Sequence, residues 1–119
     1  MSVFECQASR EHHRVRLSLY GELDIAAAGT VDAELEQIES EAPPHILLDL
    51  RGLTFLDSTG LRSLIAADAR AREQGRRLTL VRGPSVVQRV FEITGLEGRL
   101  EIVEDDASLA SGADGGRGR

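Results

Sequence analysis

The segment HILLDLRGLTFLDSTGLRSLIAADARAREQG, His45 to Gly75, decides the fold. Its first six residues form a short, nearly continuous apolar run, which predicts a central strand covered on both faces. Asp49 interrupts the run and needs a partner if it is buried. The pattern breaks at Arg51-Gly52 and resumes briefly as Leu53-Thr54-Phe55-Leu56. Asp57-Ser58-Thr59-Gly60 follows, read here as part of a loop. Leu61, Leu64, Ile65 and Ala69 then recur at helical spacing. A helix from about Ser58 to Gln74 is expected, with Gly75 suited to its C′ position.

Working outward to the N-terminal side, Pro43-Pro44 stops a preceding helix whose inner face is Ala28, Val31, Leu35 and Ile38. Asp24 is a candidate cap for that helix, and Gly29 weakens its first turns by about 1 kcal/mol relative to Ala. Before it, Val15, Leu17 and Leu19 alternate with Arg16, Ser18 and Tyr20, as in a half-buried strand. Val3 to Gln7 alternates weakly, with Phe4 and Cys6 on one face. The polar stretch Ala8 to His13 reads as a hairpin connection.

On the C-terminal side, Arg77 to Arg82 alternates as another strand. Gly83-Pro84-Ser85 opens a third helix carrying Val86, Val87, Val90, Phe91 and Ile93. Thr94-Gly95-Leu96 resembles a Schellman ending. Leu100 to Val103 gives the last strand, and Ala107 to Arg119 is too poor in apolar groups to repay ordering entropy, so a disordered tail is expected. The order is ββαβαβαβ, within one domain spanning residues 1–106. Strand–helix–strand units favour parallel pairing, and the first two strands form an antiparallel hairpin. The expected fold is α/β, a four- to five-stranded mixed sheet with amphipathic helices packed on it. Leu47, Leu48, Leu50, Leu61, Leu64, Ile65, Leu80, Val90 and Phe91 are expected to be mostly buried.

Composition narrows the function classes. The 119 residues are 41% hydrophobic and 29% charged, ordinary for a soluble globular chain with room for one core. All 14 basic residues are Arg, the net charge is −6, and no Arg cluster is long enough to follow a phosphate backbone, which argues against nucleic acid. Cys6 is the sole cysteine, so neither an internal disulfide nor a thiolate metal site is suggested. No run of eighteen apolar residues and no signal-peptide pattern occurs. Membrane insertion is therefore not expected, and a cytoplasmic location is.

The usual catalytic signatures are missing: no phosphate-binding glycine loop, no zinc-protease helix and no nucleophile elbow. His12 and His13, with Glu11 beside them, diverge along an extended chain and read as solvated loop residues. His45 has no evident metal partner, and Asp24 with Asp49 makes a poor acid–base pair. No enzyme activity, metal or cofactor is implied.

Asp57-Ser58-Thr59-Gly60 remains, and it has two readings. A short polar side chain before an apolar-periodic run accepts a bond from an early helix N–H and so acts as a cap. The same helix end offers free N–H donors and a positive dipole, so it tolerates a negative group. A phosphate on Ser58 would fit its own fold and still transform the surface charge. Gly60 either relieves crowding in the first helical turn or leaves room for another protein to approach the hydroxyl.

"GELD" after a strand, then "ILLDLRGLTFLDSTGLRSL" and "VFEITGL", resembles the STAS domain, and more narrowly the bacterial anti-sigma factor antagonists. The resemblance runs from about Phe4 to Val103. It implies binding to an anti-sigma factor that is also a serine kinase, which releases a sigma factor. Phosphorylation of the first hydroxyl residue of the D-S-(S/T)-G motif ends binding, and a serine phosphatase restores it. By position that residue is Ser58, with Asp57, Thr59 and Gly60 as its motif neighbours. The implied binding surface is Leu53 to Gly60 with the first turn of the helix, and Asp24 near its edge. Phe55 and Leu56 are apolar in an otherwise polar turn; one or both form an exposed patch, or both pack beneath the loop. The competing reading is an unphosphorylated STAS accessory subunit of a membrane lipid-transport assembly.

Overall fold

A computed structural model describes residues 3–105; the expected disordered tail, 107–119, lies outside the described residues. The elements are β1 (Phe4–Glu11), β2 (Arg14–Leu23), α1 (Ala28–Ser40), β3 (His45–Leu56), α2 (Ser58–Glu73), β4 (Arg77–Val81), α3 (Ser85–Thr94) and β5 (Ile102–Val103). Their order is the one the sequence predicts. The five strands lie side by side in chain order, with β1 antiparallel to β2 and every later neighbour parallel.

That strand order decides where the helices go. Each crossover from β2 onward steps in the same direction across the sheet, and right-handed crossovers then place α1, α2 and α3 on one face. Val31, Leu35 and Ile38 of α1, Leu61 and Leu64 of α2, and Val87 and Phe91 of α3 share one core with Leu17, Leu19, Leu48, Leu50 and Leu80 of the sheet. Ile46 to Leu50 of β3 are buried on both faces, as the apolar run predicts, but helices cover only one of them. The other face carries only a small apolar cluster, Leu47 and Val81 with Val103 packed on them.

Charged pairs surround that small cluster. Glu11 accepts from Arg14 and Arg16 at 2.7 Å each, and Asp49 accepts from Arg51 at 2.7 to 3.1 Å and from Arg16 at 3.4 Å. Asp49 thus has the partners that its place in an apolar run demanded. Burial opposes its ionisation, but the Arg51 hydrogen bonds and the nearby guanidinium charges outweigh it and hold its pKa below the ordinary carboxylate value.

The interruption at Arg51-Gly52 is not the end of the strand. Between Ser18/Asp49 and Leu23/Leu56 the pairing slips twice, so that β3 advances seven residues while β2 advances five. Each slip is a β-bulge, one extra residue on β3. Two extra residues explain why Leu50, Leu53 and Leu56 all reach the core at a spacing of three, where a regular strand would need two. Gly52 fits the first bulge: a Cβ there would lie 2.4 Å from the Tyr20 ring and 2.7 Å from the Leu19 carbonyl oxygen.

Other boundaries move for identifiable reasons. The hairpin connection shrinks from Ala8–His13 to His12-His13, because pairing of Ala8 to Glu11 with Leu17 to Arg14 overrides their weak alternation. Within this two-residue turn His13 takes a left-handed backbone, φ 70°. Ala69 is exposed, and Ala67 and Ala71 are buried in its place. Ile65 and Val90 are only half-buried. Small residues let α1 lie close to α2, tied by Arg70 to Glu39 at 2.9 Å. Both predicted glycine endings form. The amides of Gly75 and Arg76 donate to Arg72 and Ala71, and those of Gly95 and Leu96 to Glu92 and Phe91, which is the paired bonding of a Schellman motif. The last strand is shorter than expected, Ile102–Val103.

Candidate functional site at the carboxyl edge of the sheet

Parallel strands β2, β3 and β4 finish at one edge, and the N-termini of all three helices gather there. Two connections meet at this edge. The turn after β2, Asp24 to Ala27, abuts the start of α2, Asp57 to Gly60.

Asp57 makes the junction. Its extended backbone (φ −105°, ψ −179°) is that of an N-cap, and its Oδ1 accepts from the Gly60 amide at 2.9 Å. Its second oxygen, Oδ2, accepts from the amide of Ile25 at 3.2 Å, and its own amide donates to the Leu23 carbonyl at 3.2 Å. The carboxylate gives each backbone segment its own acceptor oxygen, which a serine cap with one side-chain oxygen does not. The capping reading is therefore met by Asp57, which leaves the next residue free.

Ser58 is the first residue of α2 and is exposed. Among the described residues its hydroxyl has no hydrogen-bond partner. Thr59 is half-buried, and Gly60 is buried. Gly60 does relieve crowding in the first helical turn, and the crowding comes from the end of β2. A Cβ at this position would lie 2.5 Å from the Leu23 carbonyl oxygen and 2.7 Å from Leu23 Cγ, so Gly60 allows α2 to seat against the end of β2.

Phe55 and Leu56 separate by strand alternation. Phe55 is 43% exposed, whereas Leu56 is 4% exposed and belongs to the core. The expectation of an exposed patch thus holds for Phe55 and is corrected for Leu56. Asp24 is half-buried at the same edge. It does not cap α1, whose N-cap is Ala27 with no side-chain bond. Its Oδ1 instead accepts from Ala26 and Ala27 at 3.0 and 3.1 Å and fixes the preceding turn.

Sequence reasoning passed over two residues here. Ile25, 74% exposed, lies three residues before Ala28 and so keeps the spacing of the α1 stripe, which gave the sequence no sign of its exposure. Val86, 53% exposed, lies in the first turn of α3 at the same edge; the sequence places it among the apolar residues of that helix without giving it a face. With Phe55 they give the edge an apolar component that a solvated loop does not need.

The remaining polar residues do not join this site. His45 Nε2 lies 2.8 Å from Thr79 Oγ1 in the sheet, and burial together with the Arg77 charge pushes its pKa down to about 4. His12 and His13 meet in the hairpin turn instead of diverging, with ring centroids 3.9 Å apart and ring planes inclined at 52°. Asp49 is held by arginines on the face away from the helices. Among the described residues no group of three or more His, Cys, Asp or Glu could hold a metal ion, and no helix is long and apolar enough to cross a membrane.

A five-stranded mixed sheet with helices on one face, and an exposed serine following an aspartate cap, defines an α/β domain whose loop edge carries the exposed hydroxyl. The chain belongs to the STAS family: the family described as "Mlab, STAS domain" matches residues 6–104. Its relatives include the anti-sigma-F factor antagonist RsfB of Mycobacterium tuberculosis, 27% identical over 101 residues, covering 85% of this chain and 82% of that protein. They also include the anti-sigma-B factor antagonist of Listeria monocytogenes, 30% identical over 93 residues, covering 78% and 82%. The fold matches a crystal structure of an anti-sigma factor antagonist from Mycobacterium paratuberculosis with a TM-score of 0.84 at 21% identity, covering 94% of this chain and 96% of that one.

Proposed function

We propose that this chain is an anti-sigma factor antagonist whose carboxyl-edge surface binds an anti-sigma factor with serine kinase activity, releasing a sigma factor, and that phosphorylation of Ser58 ends the binding. The observation that carries this reading is the division of labour at the start of α2. Asp57 uses both carboxylate oxygens to hold the fold, while the adjacent Ser58 hydroxyl is exposed and unengaged. Among the described residues no base is hydrogen-bonded to Ser58 to activate it as a nucleophile, which suits a substrate of another protein's kinase. The names of the relatives support the anti-sigma assignment, and the same fold occurs in the Bacillus cell fate determinant SpoIIAA in its phosphorylated form. A serine phosphatase then resets the switch, and the site of action is the cytoplasm.

The switch acts on the interface and leaves the fold intact. A phosphate on Ser58 brings about −2 charge to a helix start whose dipole favours it, and Asp57 beside it opposes it. Both effects are screened at an exposed position, so the domain stays folded. Docked against a surface shaped for a neutral hydroxyl, the same group loses its water. Such a mismatch costs roughly 2–5 kcal/mol, or about 30- to several-thousand-fold in affinity. The binding set is Asp24, Phe55, Asp57, Ser58, Thr59 and Gly60, extended by Ile25 and Val86; Leu56 supports it from the core.

The test is phosphate transfer and capture. Incubated with ATP and lysate, the wild-type chain should gain one phosphate by intact mass and lose its partner. Ser58→Ala should gain none and keep it, and Ser58→Asp should bind weakly with an unchanged melting temperature. Equal phosphate on Ser58→Ala, or undiminished binding by fully phosphorylated protein, would overturn the proposal. Retention by a membrane lipid-transport assembly without phosphate would favour the accessory-subunit reading.

A further inference from the structure

α3 carries two apolar surfaces, and the core uses only one of them. Val87 and Phe91 are buried there. Val86, Val90 and Ile93, at spacings of four and three, form a second stripe along the outside of the same helix. Val86 and Ile93 are exposed, Ile93 by 77%, and Val90 is half-buried. Arg89 and Glu92 lie side by side on one flank of this stripe. Neither has an ion-pair partner among the described residues, whereas most arginines of the chain do.

We propose that this stripe is the interface for a second copy of the chain, docked by antiparallel pairing of α3 with α3 about a two-fold axis. The charge pattern selects that occupant. In a two-fold contact every interaction occurs twice, with the residues exchanged. Antiparallel helices bring the same flank of each together. With the axis passing between Val90 and Phe91, Arg89 of one copy comes level with Glu92 of the other, and the reverse pair forms at once. In the same register Ile93 falls level with the gap between Val86 and Val90 of the second copy. Apolar interlock and charge match thus agree on one register. A parallel pairing would set Arg89 and Glu92 against the opposite flank.

The contact is small. A helix of 10 residues is about 15 Å long, so two of them bury well under the roughly 1,200–2,000 Å² of a stable standard interface. The dimer is therefore weak, with a dissociation constant between micromolar and millimolar. This inference does not rest on the role of Ser58, and its test requires no phosphorylation.

Sedimentation velocity of the full chain, from about 5 µM to about 1 mM, should show a monomer that dimerises across that range. Ile93→Asp should remain monomeric throughout with an unchanged circular dichroism spectrum. Arg89→Glu and Glu92→Arg, each placing like charges across the axis, should weaken association about tenfold or more. The double variant R89E/E92R should return it to near the wild-type value. A wild-type chain that stays monomeric at about 1 mM overturns the proposal. So does a dimer indifferent to Ile93→Asp, or a double variant no better than the single reversals, since each would mean another surface or another occupant.

Discussion

Replacing Gly60 by Ala should destabilise the domain, although alanine is the better helix former. The added methyl would sit 2.5 Å from the Leu23 carbonyl oxygen, and ordinary contact begins at 3.4 Å, so 0.9 Å must be found. The obstruction is backbone, which cannot rotate aside. That carbonyl also receives the Asp57 amide, so moving α2 away strains the bond at 3.2 Å and pulls on the Ile25 tie. Overpacking of this kind costs about 1–3 kcal/mol. The helix-propensity gain of alanine, up to about 1 kcal/mol in a helix interior, is smaller in the first turn and offsets only part of it. Each kcal/mol lowers the melting temperature by about 4–8 °C in a domain of this size. Gly29 supplies the control: it lies in α1, and a Cβ there meets nothing within 4 Å. Gly29→Ala should be neutral or stabilising by up to about 1 kcal/mol. Urea and thermal unfolding of the two variants would decide the matter. Wild-type stability in Gly60→Ala, with Gly29→Ala behaving as expected, would mean that α2 is not seated on the end of β2.

The neighbouring pair Phe55 and Leu56 should respond oppositely to the same change. Leu56→Asp buries an unpaired carboxylate and should abolish the cooperative melt, whereas Phe55→Asp should melt within about 0.5 kcal/mol of wild type and lose partner capture. Acid sensitivity should begin near neutrality. The folded His45 has a pKa of about 4 against 6.5 unfolded, so between these values the unfolded chain binds more protons and stability falls as pH falls. The loss should be of the order of 1–3 kcal/mol after allowing for solvent around a half-buried ring. Melting temperatures from pH 7 to 4 should be flatter in His45→Gln. The further loss at lower pH should persist there, because Asp49 and Glu11 have lowered pKa values and lose their stabilisation on protonation.

Element order, sheet class and both glycine helix endings were legible because each rests on local chemistry: periodicity, prolines and φ-positive glycines. The candidate motif was legible for the same reason. What escaped was set by neighbours in space. No feature of Leu50-Arg51-Gly52-Leu53 taken alone announces a bulge, because the surplus residue exists only by comparison with β2. The one-sided sheet could have been reasoned from strand order, but strand order is not written in any single segment. Leu56 and Phe55 look alike in sequence; strand alternation parts them, and the second bulge decides which one faces the core. Asp24 had the composition of a helix cap and was used one turn earlier. Ile25 was overlooked because it keeps the spacing of the α1 face, while its turn is tied to Asp57, 32 positions away.

The two surplus residues in β3 link the lengths of two strands that are far apart in the gene. β2 reaches the carboxyl edge in five steps from Ser18 and β3 in seven from Asp49, and Asp57 meets Leu23 and Ile25 only when both counts are kept. A deletion between Asp49 and Asp57 would straighten the strand but draw the cap back by one residue and turn alternate side chains to the wrong face. Point substitutions in this stretch are thus far easier to accommodate than a change of length. A lost or gained codon here should survive only beside a matching one near Leu19 and Tyr20, so descendants of this sequence should vary in spelling across the segment long before they vary in size.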